Sequence, residues 1–178
     1  CHCSSWSVWP WSPCWDCLMK LFVLIGLMLG IAPSEGNLLP EGVHWKTHPV
    51  QLIVTRTAEA KYAKEITEAI WAWNDAVGCE VLEWPKECTQ NCVYVQTNFS
   101  HENFTELVWS PELLITRAYV SLDANGSLMR RVVTHELGHV LGLNHNEDPM
   151  TVMFFMALSS AWELSDGDVE TLKLLYCK

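Results

Sequence analysis

His135-Glu136-Leu137-Gly138-His139-Val140-Leu141-Gly142-Leu143-Asn144-His145 sets three imidazoles, a carboxyl group and a glycine at fixed intervals. Residues four apart on an α-helix share one face, so His135 and His139 can aim two ring nitrogens at one point. Glu136 is turned by roughly 100° from His135 and flanks that point. A third ring six residues beyond His139 would lie roughly 9 Å further along the same axis. The helix must therefore stop and the chain fold back. Gly142 is the expected place, because glycine adopts positive φ at a helix C-terminus without steric penalty. Three nitrogens at about 2.0–2.1 Å from a common centre suit zinc, and three protein ligands leave a fourth position open, as in catalytic rather than structural sites.

The flanks agree with a central helix. Asp123-Ala124-Asn125-Gly126-Ser127 reads as a turn, with Ser127 a good N-cap. From Leu128 to Leu141 there is no proline. Met129, Val133, Leu137 and Val140 form one apolar stripe, and Leu128 and Val132 lie on the histidine face. A helix apolar on two sides is expected in the interior. Ala118–Leu122 reads as a strand leading into the turn. Further out, Gln51–Thr55, Glu80–Glu83 and Val93–Thr97 are candidate strands, with Glu106–Trp109 a short edge strand. Ala58 to Val77 is an amphipathic helix: Tyr62, Ile66, Ala69, Ile70, Trp73 and Val77 recur at helical spacing, and Gly78 ends it. Core packing is expected for Trp73, while Trp71 fits either core or surface. A last helix starts at Ser165 as cap, with Asp168 three residues on, and is expected to bury Val169, Leu172 and Leu175.

H-E-x-x-H-x-x-G-x-x-H is the metzincin signature, and the sequence after it narrows the resemblance. Asn146-Glu147-Asp148-Pro149-Met150-Thr151-Val152-Met153 resembles the matrixin branch, in which the third histidine is followed by a polar pair, Asp-Pro, and a methionine four residues later. On that match Met153 is the Met-turn methionine, ahead of Met150, and lies as a soft apolar floor beneath the metal. Leu164-Ser165-Asp166-Gly167-Asp168-Val169 resembles the start of the matrixin C-terminal helix, with Gly167 in place of the first of two adjacent acids. Asn146 stands where matrixins usually have serine, and Phe155 where a proline is expected. The resemblance runs from about Val50 to Tyr176 and is strong from Val133 to Met153.

The resemblance implies an α/β (α+β) zincin-like domain. Its sheet is expected to be twisted and mostly parallel, with four to five strands, an N-terminal amphipathic helix, a central zinc-binding helix and a C-terminal helix. Pattern alone gives only α/β or α+β. The resemblance also implies a zinc-dependent endopeptidase: His135, His139 and His145 as zinc ligands, Glu136 as general base, and a protein or peptide as substrate. Phe154, Phe155, Met156 and Leu158 are candidates for the wall of an apolar pocket. Two other readings fit the motif, a non-catalytic zinc-binding interaction module and a zinc hydrolase of a non-peptide amide. Glu136 weighs against the former, since a structural site has no use for a base there.

The 178 residues suit one domain, and 49% hydrophobic residues suit a packed core. A net charge of −10 argues against nucleic acid and anionic membranes as partners. Residues 1–18, rich in tryptophan and cysteine, are expected to be upstream translation or a non-native segment. Residues 19–36 read as a signal peptide: Met19-Lys20, an apolar run 21–32, then Ser34 and Gly36 at the −3 and −1 positions. That run is too short for a bilayer span of about 20 residues. Residues 37–178 form the expected catalytic domain, secreted, extracellular and monomeric. Between Gly36 and Gln51 there is no cysteine, so the propeptide-cysteine latency common in matrixins is not expected. Cys79, Cys88, Cys92 and Cys177 suggest two disulfides. Three pairings are possible, with Cys88–Cys92 plus Cys79–Cys177 favoured. Asn98, Asn103 and Asn125 stand in glycosylation sequons, relevant only in a eukaryotic secretory pathway. His44, His48 and His101 are expected to be solvated.

Overall fold

A computed structural model describes residues 42–126, 130–155 and 163–177. The segments 1–18 and 19–36, together with Ser127, Leu128, Met129, Met156 and Leu158, lie outside the described residues. The elements are β1 (His44–Trp45), β2 (Val50–Val54), α1 (Arg56–Val77), β3 (Leu82–Glu83), β4 (Cys92–Asn98), β5 (Phe104–Trp109), β6 (Leu114–Asp123), α2 (Arg130–Val140) and α3 (Asp166–Tyr176).

One sheet runs β1-β6-β4-β2-β3, every pair on that path parallel, with β5 antiparallel on β6. The fold is the expected mostly parallel α/β arrangement, with six strands rather than four to five. The added strand is β1, which is too short to show periodicity and exists through pairing: His44 lies opposite Leu114 and Trp45 opposite Ile115. β6 is also longer than the expected 118–122. Its first residues pair with β1 and the rest with β4, from Val93 opposite Ala118 to Asn98 opposite Asp123.

α1 starts two residues before the apolar periodicity does. Thr55 is its N-cap and not the last strand residue, its side chain accepting from the Ala58 N–H. Gly78 ends the helix at φ 80°, donating to the Asn74 carbonyl. Asn74 then fastens the turn, its Oδ1 accepting from the N–H groups of Val81 and Leu82 and its Nδ2 donating to the Leu82 carbonyl. Ala58, Tyr62, Ile66, Ala69, Trp73 and Val77 form the buried face, while Ile70 is half-buried. Trp71 is 64% exposed, which assigns it to the surface.

That face and Val133, Leu137 and Val140 of α2 share one core with Val93, Val95, Val120 and Leu122 of the sheet. In α3 the buried residues are Leu172 and Tyr176; Val169 and Leu175 are only half-buried, because the helix rests on the core by its last turns. Both favoured disulfides are present, Cys79–Cys177 joining the end of α1 to the end of α3, and Cys88–Cys92 closing the approach to β4. Among the described residues no helix is long and apolar enough to cross a membrane.

Candidate metal centre

α2 ends as the glycine spacing requires. Gly142 sits at φ +93°, its N–H donates to the His139 carbonyl, and the Leu143 N–H reaches back to the Gly138 carbonyl. These are the two bonds of a Schellman cap, with Gly142 the left-handed residue. A side chain there would also run into the Val43 carbonyl. Two further carbonyls at the helix end are met from distant parts of the chain. The Trp45 indole donates to Val140 O at 2.8 Å, and the Tyr176 hydroxyl to Leu141 O at 2.9 Å. Tyr176 also accepts from the Trp45 N–H at 3.2 Å.

The reversal brings His145 back over the helix. Its Nε2 lies 3.1 Å from that of His139 and 3.2 Å from that of His135, and the latter two are 3.0 Å apart. Ligands at tetrahedral angles around zinc, with bonds of about 2.0–2.1 Å, stand about 3.3 Å from one another, so this triangle is close to the size the ion needs. The donor set fits as well. Nδ1 of His135 lies 2.7 Å from the Val152 carbonyl, and Nδ1 of His139 lies 2.9 Å from the Leu143 carbonyl. A carbonyl only accepts, so both protons sit on Nδ1 and both Nε2 atoms present lone pairs. Lone pairs converging on one point repel unless a cation lies between them. Burial holds the conjugate-acid pKa of all three rings below the ordinary histidine value, that of His139 at about 3, with the neighbouring His135 lowering it further.

Glu136 is 5% exposed. Burial raises its carboxyl pKa to about 7, against a lowering contribution from the Thr105 hydroxyl, which donates to Oε2 at 2.7 Å. Met153 is fully buried and Met150 is 56% exposed. Gly138 makes room for the former: a side chain at that position would meet Met153 Sδ, with Trp73 Cζ2 at 3.0 Å. The strand-like return is closed by the Asn146 N–H donating to the Met153 carbonyl at 2.9 Å. Asn146 Oδ1 accepts from Thr151 and its Nδ2 donates to Asp168 of α3 at 3.1 Å. Phe154 is buried and Phe155 is 59% exposed.

His44, His48 and His101 do not join the cluster. His44 is half-buried in β1 and the other two are exposed. His135, His139 and His145 form the one group of potential ligands among the described residues. Trp45, Thr105 and Tyr176 carry contacts that the motif does not announce. A lone indole or hydroxyl far along the chain has no spacing signal to tie it to a helix end.

The matrixin family profile matches residues 83–177, more than half of the chain. The chain belongs to the matrixin family of peptidases. The matched span contains β4, β5, β6, α2 and α3, and with them the three histidines, Glu136 and Met153. This matrixin is 48% identical over 50 residues to matrilysin of Felis catus, a stretch covering 26% of this chain and 19% of that protein. It is 36% identical over 52 residues to a probable matrix metalloproteinase, 095L, of invertebrate iridescent virus 3, covering 29% of this chain and 14% of the viral protein. The chain thus matches a fifth or less of the length of these curated relatives. Among solved structures, high choriolytic enzyme 1, a hatching-enzyme zinc protease of Oryzias latipes, superposes with a TM-score of 0.45 at 16% identity. That superposition covers 61% of this chain and 53% of the other.

Proposed function

We propose that this matrixin is a secreted zinc-dependent endopeptidase. The observation that carries the reading is the convergence of three Nε2 atoms within 3.2 Å of one another, with the buried Glu136 next to His135 in the chain. His135, His139 and His145 would hold the ion through Nε2, the first two oriented by the Val152 and Leu143 carbonyls. When bound, zinc supplies Lewis acidity, acidifying water and polarising a carbonyl. Glu136 takes a proton from the attacking water as the new C–O bond forms. It returns that proton to the amide nitrogen as the C–N bond breaks. A carboxyl group whose pKa lies near neutrality suits both halves of that exchange. Among the described residues β5 pairs with β6 alone, and its other edge offers main-chain groups along which an extended peptide can lie. Met153 supports the helix that carries two of the three ligands. Two disulfides suit an oxidising, extracellular setting.

The test is digestion of an unbiased peptide library by wild type and Glu136→Ala, with zinc measured in both. Wild type is expected to cleave. The variant is expected to keep its zinc and lose about 10²–10⁴-fold in kcat, the usual contribution of a general base. Equal cleavage by both would exclude Glu136 as the base. Zinc binding without cleavage by either would favour the interaction module. Secretion is checked by expressing residues 1–178 in eukaryotic cells and reading the N-terminus of the protein in the medium, expected at Asn37.

A further inference from the structure

Thr105 stands on β5, the edge strand, where Thr105, Leu107 and Trp109 turn inward and Phe104, Glu106 and Val108 turn outward. The strand is held to β6 at two points. Thr105 lies opposite Val120 of β6, and just ahead of it Asn103 Oδ1 accepts from the Asp123 N–H at 2.9 Å. β5 packs on α2, and Thr105 meets that helix at Glu136 alone among its hydrogen-bond partners, 2.7 Å from Oε2 and 3.1 Å from the backbone carbonyl. A β-branched side chain on a paired strand has little rotamer freedom. A glutamate side chain has much more. The stiff group therefore orients the flexible one. Oε1 accepts from no protein donor among the described residues.

We propose that Thr105 is a positioning residue for this reaction: its hydroxyl holds the Glu136 carboxylate by one oxygen and so presents the other for proton transfer. The proposal rests on the reading of Glu136 as general base. A purely space-filling role is the alternative, and valine has the same shape as threonine without the hydroxyl. Removing an oriented hydrogen bond from a group that must stay within about 3 Å of the proton it moves lowers turnover more than substrate binding.

The experiment compares wild type, Thr105→Val and Thr105→Ser, and adds Glu136→Ala with and without Thr105→Val. All are zinc-loaded and made in a host that does not glycosylate, because Thr105 completes the Asn103 sequon. Expected for Thr105→Val is a kcat about 10-fold or more below wild type, as loss of one charge-assisted hydrogen bond implies. KM and zinc content should stay unchanged, and Thr105→Ser should restore most of the rate. Independently of activity, Thr105→Val should lower the melting temperature by about 4 °C in the Glu136 background, and by clearly less in the Glu136→Ala background. A kcat for Thr105→Val within twofold of wild type, or no rescue by serine, overturns the proposal. So does an equal melting shift in both backgrounds. Should wild type cleave nothing, the endopeptidase reading fails, and the melting cycle still decides whether Thr105 holds Glu136.

Discussion

Replacing Gly142 by alanine meets two obstacles, a backbone at φ +93° and the Val43 carbonyl in the space a side chain would take. The left-handed conformation alone costs about 1–2 kcal/mol for a residue with a Cβ. Gly142→Ala is therefore expected to lose at least about 2 kcal/mol in urea unfolding and to bind zinc more weakly, since the bend delivers His145. A variant with wild-type midpoint and affinity would show that the reversal does not depend on this glycine. Burial depresses the pKa of the three ligand rings, that of His139 to about 3. Rings with depressed values stay neutral, and able to ligate, below pH 6.5. Zinc retention on dialysis is thus expected to persist through mildly acidic pH and fail in stronger acid; a midpoint at or above 6.5 would contradict it. Glu136 works in the opposite sense. Its pKa rises on folding, from the ordinary glutamate value of 4.5 to about 7. The metal-free protein holds that stability fully below pH 4.5 and loses it as pH rises through about 7, by about 3 kcal/mol at most. Glu136→Gln should remove this slope, so its stability relative to metal-free wild type should grow between pH 4.5 and 8.

Among the elements, α2 carries a substitution whose sign helix propensity gets wrong. Alanine in place of a mid-helix glycine ordinarily stabilises by about 1 kcal/mol. At Gly138 the added methyl would press on Met153 Sδ and Trp73 Cζ2. Overpacking of a filled core costs about 1–3 kcal/mol. Gly138→Ala is expected to lower the melting temperature, and a rise would mean that Met153 and Trp73 can yield. The helices themselves were readable because their signals are local. Gly78, Ser165 and Gly142 are caps within a few residues of the apolar runs they bound, whereas Thr55 caps α1 although the sequence reads it as the end of a strand. β1 was not readable: two residues carry no period, and their partner lies some seventy positions downstream, at Leu114 and Ile115. β4, β5 and β6 were recognised as strands but cut short, since their true ends follow from the length of their neighbours, while the strand expected at Glu80–Glu83 contracts to Leu82–Glu83, the residues that pair with β2.

Across the domain, Cys79–Cys177 spans 98 residues and Cys88–Cys92 only 4. A cross-link restricts the unfolded chain more when its loop is longer. The double variant Cys79→Ser/Cys177→Ser is expected to lose about 2–5 kcal/mol in urea unfolding, and Cys88→Ser/Cys92→Ser less. The reverse order would mean that native-state contacts, not chain entropy, set the contribution of each bridge. The longer bridge also pins the end of α3, and with it Tyr176, which donates to the Leu141 carbonyl at the end of the histidine-bearing helix.

The spacing of His135, Glu136, His139, Gly142 and His145 was sufficient to foresee a helix, a reversal at one glycine and a three-ring cluster. Each of those follows from bond geometry over eleven consecutive positions. The ranking of Met153 over Met150 came from resemblance; in the fold Met153 is buried and Met150 is exposed. Trp45 and Tyr176 at the carbonyl end of α2, and Thr105 on the Glu136 carboxyl group, emerged from the folded chain. Their separations from the groups they meet run from 31 to 95 residues. Contacts of that range depend on sheet order and helix packing, which no local period encodes, so the three histidines could be read along the chain while the groups that surround their helix required the fold.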